Sequence, residues 1–258
     1  MEDSMVNKIM EEVMKKVGGE TSATSCGCGG CGLTEFVGTG IGDTIGLVIA
    51  NLDSAVHKAL EIDDKYRSIG IISDRIGAGP QIMAADEAVK ATNTEIIKIE
   101  TPRDTKGGAG HGCLVVFGAE DVSDARRAVE VTLKELPRTF GDVYSNEAGH
   151  IELQYTARAS YACNKAWGAP LGKAFGLVVG APAGIGVVTA DTVVKAANVE
   201  TLSVASPAKG TSLTNEVIIF FAGDSGAVRQ ALIAAREVGI GLLSSLGSKA
   251  KNDFPAYI

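Results

Sequence analysis

The sequence predicts two tandem domains of the α/β (α+β) class, each a ferredoxin-like sandwich in which helices cover a sheet. Residues 85–95 recur at 190–200, with Ala, Asp, Val, Lys, Ala, Asn and Glu in matching places. Strand and helix patterns alternate inside each copy, which is typical of a layered α/β fold. The chain has 258 residues, 45% of them hydrophobic, which is sufficient for two cores.

The repeat extends well beyond the shared stretch, so each copy is a domain rather than a short solenoid unit. Further matched positions are Pro102 with Pro207, Gly118 with Gly223, Asp121 with Asp224, Arg126 with Arg229, and Ala128 with Ala231. We therefore predict an N-terminal extension at 1–35, a first domain at 36–146 and a second domain at 147–258.

The N-terminal extension has two parts. Apolar residues at helical spacing predict a short amphipathic helix: Val6, Ile9, Met10, Val13, Met14 and Val17. Residues 18–32 are rich in Gly, Ser, Thr and Cys and predict a flexible linker. The thiolates of Cys26, Cys28 and Cys31 could hold an iron–sulfur cluster or another metal ion, although a fourth ligand would have to come from a trimer. The alternative is a linker without any cofactor, and no other cofactor is expected.

The elements of the two copies follow the same order. In the first copy, strands are predicted at 45–50, 68–73, 95–101 and 113–118, with a short helix after the first strand. Pro80 suits the first turn of a second helix, which ends near Thr92. One apolar face predicts a third helix: Val122, Ala125, Val129, Leu133 and Leu136.

The second copy repeats this pattern. Strands are predicted at 151–156, 174–180, 199–205 and 216–223, again with a short helix after the first. The next helix ends near Ala197, and the last runs from Ser225 to about Val238.

Charge and hydropathy exclude several classes of function. There are 24 basic and 31 acidic residues without a basic cluster, so nucleic-acid binding is not expected. No window approaches the ~20 apolar residues of a membrane span, and no secretory signal is visible, so we expect a cytoplasmic protein. Three histidines without a nucleophile or metal-protease motif offer no catalytic constellation, so we do not expect an enzyme.

Two motifs resemble the bacterial microcompartment (BMC) shell domain. They are Ala-Asp-x-x-Val-Lys-Ala-x-Asn-Val-Glu at 190–200 and Gly-Asp-Ser-Gly-Ala-Val-Arg-x-Ala at 223–231, with weaker versions at 85–95 and 121–128. In the ordinary BMC domain, one strand and one helix form the C-terminal end. Here the corresponding strand and helix stand at the start of each copy, at 45–60 and 151–167, and this order resembles the circularly permuted tandem subclass. Stretches at 33–38, 77–86, 102–111, 138–144 and 252–258 are similar to propanediol-utilisation members of the family.

The resemblance implies a structural shell tile, a homotrimer whose six domains form a pseudohexamer. It implies pores at the threefold axis and between the two domains of each chain. The implied partners are other shell proteins, small polar metabolites such as 1,2-propanediol or glycerol, and encapsulated enzymes, which the N-terminal extension would tether. The cysteine cluster and Ala50-Asn51, where related domains often have Pro-Arg, depart from the family pattern.

The resemblance also assigns tile-edge contacts to Lys90, Asn93, Lys195 and Asn198. A rim lysine can lay its stem along a neighbouring lysine while its ammonium donates to backbone carbonyls. The alternative is a solvated helix end with an Asn cap.

Two loops occupy the pore-loop position of the family, where glycine presents bare backbone N–H groups to a solute. Their candidate lining residues are Lys106, Gly108, Gly110, His111, Lys209, Thr211, Ser212 and Asn215. The alternative is a pair of ordinary polar turns. A further small-molecule site is possible at Asp74, Arg75, Gly77 and Gly79, with a salt-bridged turn as the alternative.

Two other classes of function remain open from the sequence. One is a small-molecule-binding or signalling trimer, which extended sheet formation at high protein concentration would argue against. The other is a redox carrier that uses the cysteine cluster, which a brown colour of anaerobically purified protein would reveal.

Overall fold

The computed structural model describes residues 34–102, 112–210, 212 and 214–258, and these ranges contain two antiparallel sheets of the same topology. The first sheet has the order β1-β2-β3-β5-β4 and the second β6-β7-β8-β10-β9. The strands are β1 (Thr34–Gly40), β2 (Thr44–Ile49), β3 (Ser68–Ser73), β4 (Glu95–Glu100), β5 (Leu114–Ala119), β6 (Val143–Asn146), β7 (Gly149–Thr156), β8 (Ala174–Ala181), β9 (Glu200–Ala205) and β10 (Val217–Gly223).

Three helices accompany each sheet. They are α1 (Ser54–Leu60), α2 (Gly79–Ala91) and α3 (Val122–Thr139) in the first half, and α4 (Tyr161–Trp167), α5 (Ala183–Ala196) and α6 (Ser225–Ser244) in the second. Each half therefore has the order β-β-α-β-α-β-β-α, and the predicted fold class is confirmed. Within the described residues, no helix combines the length and the apolar character needed to cross a bilayer.

Small residues bring helix and sheet close together. A Cβ at Gly70 of β3 would lie 2.8 Å from the backbone oxygen of Ala125 in α3, so only glycine permits this approach. In the second half, a Cβ at Gly180 of β8 would lie 2.5 Å from the Cα of Gly186 in α5. Glycine thus serves close packing of helix against sheet in this chain as well as loops.

Two strands were not predicted, and the bounds of some other elements differ from the prediction. β1 and β6 were missed because each lies at the edge of its sheet, where its side chains are exposed or half-buried and give only a weak apolar pattern. β6 pairs with β7, so residues 143–146 lie with the second sheet rather than the first, and β1 already begins at Thr34. α6 runs on to Ser244, well past Val238.

The two halves are joined through a buried carboxylate. Asp86 of α2 is fully buried and accepts hydrogen bonds from the backbone N–H of Ser160 (3.1 Å) and of Cys163 (3.1 Å) at the start of α4. The Ser160 hydroxyl donates to the same carboxylate at 2.6 Å. One half thus supplies the acceptor for the first turn of a helix in the other half.

A second junction involves the segment 252–258. The carboxylate of Asp142, between α3 and β6, accepts hydrogen bonds from the backbone N–H of Tyr257 (2.7 Å) and Ile258 (2.9 Å). Arg236 of α6 lies 3.7 Å from the same carboxyl group, and the guanidinium of Arg138 lies 4.6 Å from the centre of the Tyr257 ring. The segment 252–258 therefore contacts residues of both halves.

Candidate functional site between the two halves

A small cavity lies between the loop that precedes α2 and the strands of the second sheet. Its volume is about 40 Å³, which is room for a few water-sized molecules. The walls are mostly apolar, with two carboxylates among them: Gly77, Ala78, Gly79, Thr101, Glu152, Trp167, Leu177, Val179, Glu216, Ile218 and Phe220. An apolar cavity with a few convergent polar groups is the usual form of a small-molecule site.

Glu152 is the central polar group of this cavity. It lies on β7 opposite Val179 of β8, and its side chain points toward the first half. A Cβ at Gly79 would overlap with the Glu152 carboxyl group, so a side chain at position 79 would force that carboxyl group out of its observed place. Gln154, also on β7, donates from Nε2 to Oε1 of Glu152 at 3.3 Å.

The surroundings of Glu152 oppose its ionisation. Burial is the main effect, and it raises the pKa of Glu152 to about 8 together with the nearby carboxylates of Glu216 and Asp74. The hydrogen bond from Gln154 lowers this pKa, but by less. Glu152 is therefore mostly protonated at neutral pH and presents a hydroxyl donor to the cavity. Glu216 lies beside it, with Oε2 3.5 Å from Nε2 of His150.

Gln81 shapes the loop on the opposite wall. Its Oε1 accepts from the backbone N–H of Ala78 (2.9 Å), and its Nε2 donates to the carbonyl of Ile76 (3.0 Å) and to Oγ1 of Thr44 (3.0 Å). Gly77 has φ +124° and Ala78 has φ 108°, a region that strains a residue with a Cβ. The buried side-chain amide of Gln81 thus stabilises the positive-φ backbone of Gly77 and Ala78 beside the cavity.

The site predicted at 74–79 is brought together only in part. Gly77 and Gly79 line the cavity. Asp74 is buried behind the lining, where its Oδ2 accepts from the backbone N–H (3.1 Å) and from Sγ (2.7 Å) of Cys113, and Arg75 is exposed. Asp74 therefore supports the loop through Cys113, while contact of the exposed Arg75 with a solute stays a prediction.

Sequence reasoning missed Glu152, Glu216 and Gln81. A signal existed for the first, because Glu152 and Gln154 interrupt an apolar strand at inward positions. Gln81 also had a local signal, because a Gln at the third position of a helix can accept from the backbone N–H that precedes the helix. Nothing local marks Glu216, which lies beside His150 of a distant strand.

The predicted pore loops are described only in part. Lys106, Gly108, Gly110, His111 and Thr211 lie outside the described residues, as do Cys26, Cys28 and Cys31. Lys209 is exposed in a turn, where its backbone N–H donates to the carbonyl of Ser206. Ser212 donates to the carbonyl of Glu216 at 2.6 Å, and the Asn215 side chain accepts from the backbone N–H of Ala183 at 3.4 Å. The loop is thus tied to the ends of β10 and α5.

The two candidate edge lysines differ in their surroundings. The side chain of Lys90 is only 27% exposed, and its ammonium lies 2.9 Å from Asp86, 2.9 Å from Glu87 and 3.3 Å from Oγ1 of Thr156. Burial opposes its charge, but the two carboxylates outweigh that effect and raise the pKa of Lys90. Lys195 is 73% exposed and pairs only with Asp191 of its own helix, at 2.6 Å, among the contacts that the described residues show.

The exposed edge of the second half also carries a depression. It has a volume of about 520 Å³ and is lined by polar groups that include Lys173, Asn198, Glu200 and Asp224. Asn198 thus lies beside acceptor groups that a lysine from outside the chain could reach. Asn93 and Asn198 are both exposed.

Comparisons with known proteins agree with this geometry. A family model of the BMC domain matches residues 68–150 and 174–248. Each match begins at β3 or β8, after the first two strands and the short helix of its half, as expected for a permuted domain.

The relatives are similar over most of their length. The bacterial microcompartment shell protein PduB of Citrobacter freundii is 60% identical over 99% of both chains. PduB of Salmonella typhimurium is 66% identical over 88% of this chain and 84% of its own. A crystal structure of a trimeric shell protein PduB has a TM-score of 0.84 and 56% identity, and covers 86% of this chain and 99% of that one. EutL from Clostridium perfringens, at 19% identity and a TM-score of 0.63, shares the fold over 83% of this chain and 94% of its own.

Two permuted domains of this kind in one chain define a tandem-domain shell protein. The chain belongs to the BMC-domain family of bacterial microcompartment shell proteins. Within that family it is similar to the PduB proteins, and its function is structural, as a component of the shell.

Proposed function

We propose that three copies of this chain close into a tile of six BMC domains in a propanediol-type shell. We further propose that the cavity inside each chain is a passage for small uncharged polar metabolites such as 1,2-propanediol or glycerol. The trimer is supported by the 56% identity to a trimeric PduB structure. The observation that carries the passage is the buried carboxyl group of Glu152, which faces the bare backbone of Gly79 in a cavity whose walls are mostly apolar apart from Glu216.

The lining suits a diol better than an ion. The walls of Leu177, Val179 and Phe220 can cover the hydrocarbon part of a diol, while the carboxyl groups of Glu152 and Glu216 exchange hydrogen bonds with its hydroxyls. An anionic metabolite would lose its hydration in the cavity and meet acidic groups there, which is unfavourable. The passage would therefore favour neutral substrates over carboxylate products. We propose no catalytic step for these residues.

Filling the cavity beside Glu152 should block solute binding. In a Gly79→Ala variant the new methyl group overlaps with the Glu152 carboxyl group, so we expect at least a tenfold weaker saturation-transfer NMR signal from glycerol or 1,2-propanediol. Gly226→Ala is the matched control, because a Cβ at that exposed helical position meets nothing within 4 Å. Equal signals from both variants, or an equally strong signal from propionate, would contradict the passage.

We also propose that the N-terminal extension tethers the tile to encapsulated enzymes. An apolar helical stripe followed by a Gly- and Ser-rich linker suits docking into a groove on a partner. An isolated helix of this length is marginal in water, so it would gain stability mainly on binding.

Deleting residues 1–32 should leave the trimer nearly as stable as before, with a melting temperature within about 2 °C, while shells separate from their enzyme cores. Deletion of 252–258 is the control for a structural segment. It removes the backbone donors to buried Asp142 and should lower the melting temperature by several degrees. A large loss of stability in the first variant, with cargo retained, would show that the extension is structural instead.

A further inference from the structure

Trp167 is the only tryptophan of the sequence, and it lines the cavity between the two halves. Its ring stacks on that of Phe175, with the ring centres 5.5 Å apart and the planes 9° from parallel. The ring of Phe220, which also lines the cavity, lies 5.9 Å from that of Trp167 at an angle of 30°. Part of the cavity wall is therefore aromatic, and the fully buried Phe175 supports it.

The helix that carries Trp167 is held at both ends. At the start of α4, the buried carboxylate of Asp86 accepts a hydrogen bond from the backbone N–H of Ser160 at 3.1 Å. At its end, Gly168 adopts a left-handed conformation with φ 70°, and its N–H donates to the carbonyl of Asn164 at 2.8 Å. Because both ends are fixed and the ring is stacked, Trp167 cannot easily move aside for a larger solute.

The loop of the first half that lines the same cavity is fixed as well. The fully buried Gln81 accepts from the backbone N–H of Ala78 at 2.9 Å and donates to the carbonyl of Ile76 at 3.0 Å. A Cβ at Gly42 would overlap with the Ile76 oxygen, so the turn between β1 and β2 packs directly on this loop. With two walls held in this way, the size of the cavity depends on the volumes of the side chains that line it.

The first half of the chain has aliphatic residues at the equivalent positions. Leu60 is the last residue of α1, as Trp167 is of α4. Alignment of the strands places Ile69 of β3 at the position of Phe175 and Val116 of β5 at that of Phe220. Since one half folds with aliphatic side chains at these three positions, the fold itself does not require aromatic ones. The aromatic wall is thus a property of the cavity.

We infer that Trp167 sets the size limit of the passage, so that polyols with short carbon chains enter and those with longer chains are excluded. This inference rests on the proposed passage and names the residue that determines which members of the diol class fit. The indole ring occupies volume that a longer hydrocarbon chain would need. In an apolar pocket that cannot adapt, one methylene group changes binding by roughly 10- to 200-fold.

A series of diols tests this limit by saturation-transfer NMR. We expect the parent protein to bind 1,2-hexanediol at least about tenfold more weakly than 1,2-propanediol. Trp167→Leu introduces the residue that ends α1 and should bind 1,2-hexanediol at least about fivefold more strongly than the parent, with Trp167→Phe in between. Tyr161→Leu is the matched control and should keep the selectivity of the parent, because Tyr161 is 66% exposed on the same helix and outside the cavity lining. Circular dichroism checks the fold of each variant.

The fluorescence of Trp167 supplies a second reading that needs no substitution of this residue. Because the chain has one tryptophan, 1,2-propanediol should change its emission in a saturable way in the parent protein and not in Gly79→Ala. If the diol binds by NMR and leaves the emission unchanged, Trp167 does not contact the solute, and the inference is overturned while the passage stands. Continued exclusion of 1,2-hexanediol by folded Trp167→Leu has the same consequence. A parent protein that binds no diol by either method would overturn the passage itself and the size limit with it.

Discussion

Replacing Lys90 and Lys195 together by alanine is expected to abolish ordered arrays of tiles while leaving folded trimers. The proposed reason is that both lysines contribute to contacts between tiles through their stems and donors, while the fold tolerates the additional loss of the Lys90–Asp86 ion pair. Assembly is followed by electron microscopy of sheets or tubes, and oligomeric state by light scattering. Lys134→Ala/Lys249→Ala removes two other exposed lysines and should still assemble.

The single variants should separate the role of each lysine in array assembly from its role in the stability of the fold. Lys195 is 73% exposed and has an ion pair only within its own helix, so Lys195→Ala should change stability by no more than about 0.5 kcal/mol and still impair arrays. Lys90 neutralises the fully buried Asp86, so Lys90→Ala should cost roughly 1–3 kcal/mol of unfolding free energy. Ordered arrays from the double variant would exclude the proposed edge role.

Replacing Glu152 by glutamine is expected to make the protein more stable at alkaline pH and to flatten its dependence on pH. The folded-state pKa of Glu152 is about 8, above the ordinary value of 4.5, so the folded protein retains a proton that the unfolded chain releases. The stability linked to this group is fully present below pH 4.5 and is lost as the pH rises through about 8. Glutamine stays neutral and still accepts from Gln154.

At pH 9 we expect the Glu152→Gln variant to exceed the parent protein by a few kcal/mol, since each pKa unit corresponds to about 1.4 kcal/mol. For a chain of this size, that is a rise in melting temperature of roughly 5–10 °C. Below pH 5 the two proteins should melt alike. Glu120→Gln, at an exposed position, should follow the parent at every pH. A parent protein that gains stability between pH 5 and 9 relative to Glu152→Gln would refute the protonated form of Glu152.

Most strands and helices could be predicted from the sequence because their signals are local. The apolar faces of α3 and α6 repeat at helical spacing, and β3 was predicted with the bounds that the structure shows. The repeated Asp-Lys-Asn motif indicated both the tandem architecture and the family. β1 and β6 were missed because an edge strand is defined by its pairing partner more than by its own pattern.

The residues of the cavity could not be predicted in the same way. Glu152 and Glu216 meet through the pairing of distant strands in the second sheet, and only the packing of the first half on the second brings Gly79 to them. The raised pKa of Glu152 likewise results from burial and from neighbouring carboxylates, which no local pattern reveals. The difference between Lys90 and Lys195 has the same origin, because Lys90 lies against Thr156 of the second half whereas Lys195 is exposed to solvent.

The sequence by itself thus determined the order of the elements, the duplication and the family, which depend on local periodicity and on motifs within single segments. Tertiary structure alone decided which polar groups are buried, which copies of a repeated residue are covered, and where a solute could lie. The physical reason is that desolvation and close packing depend on contacts between distant segments, which become defined only when the two halves fold against each other.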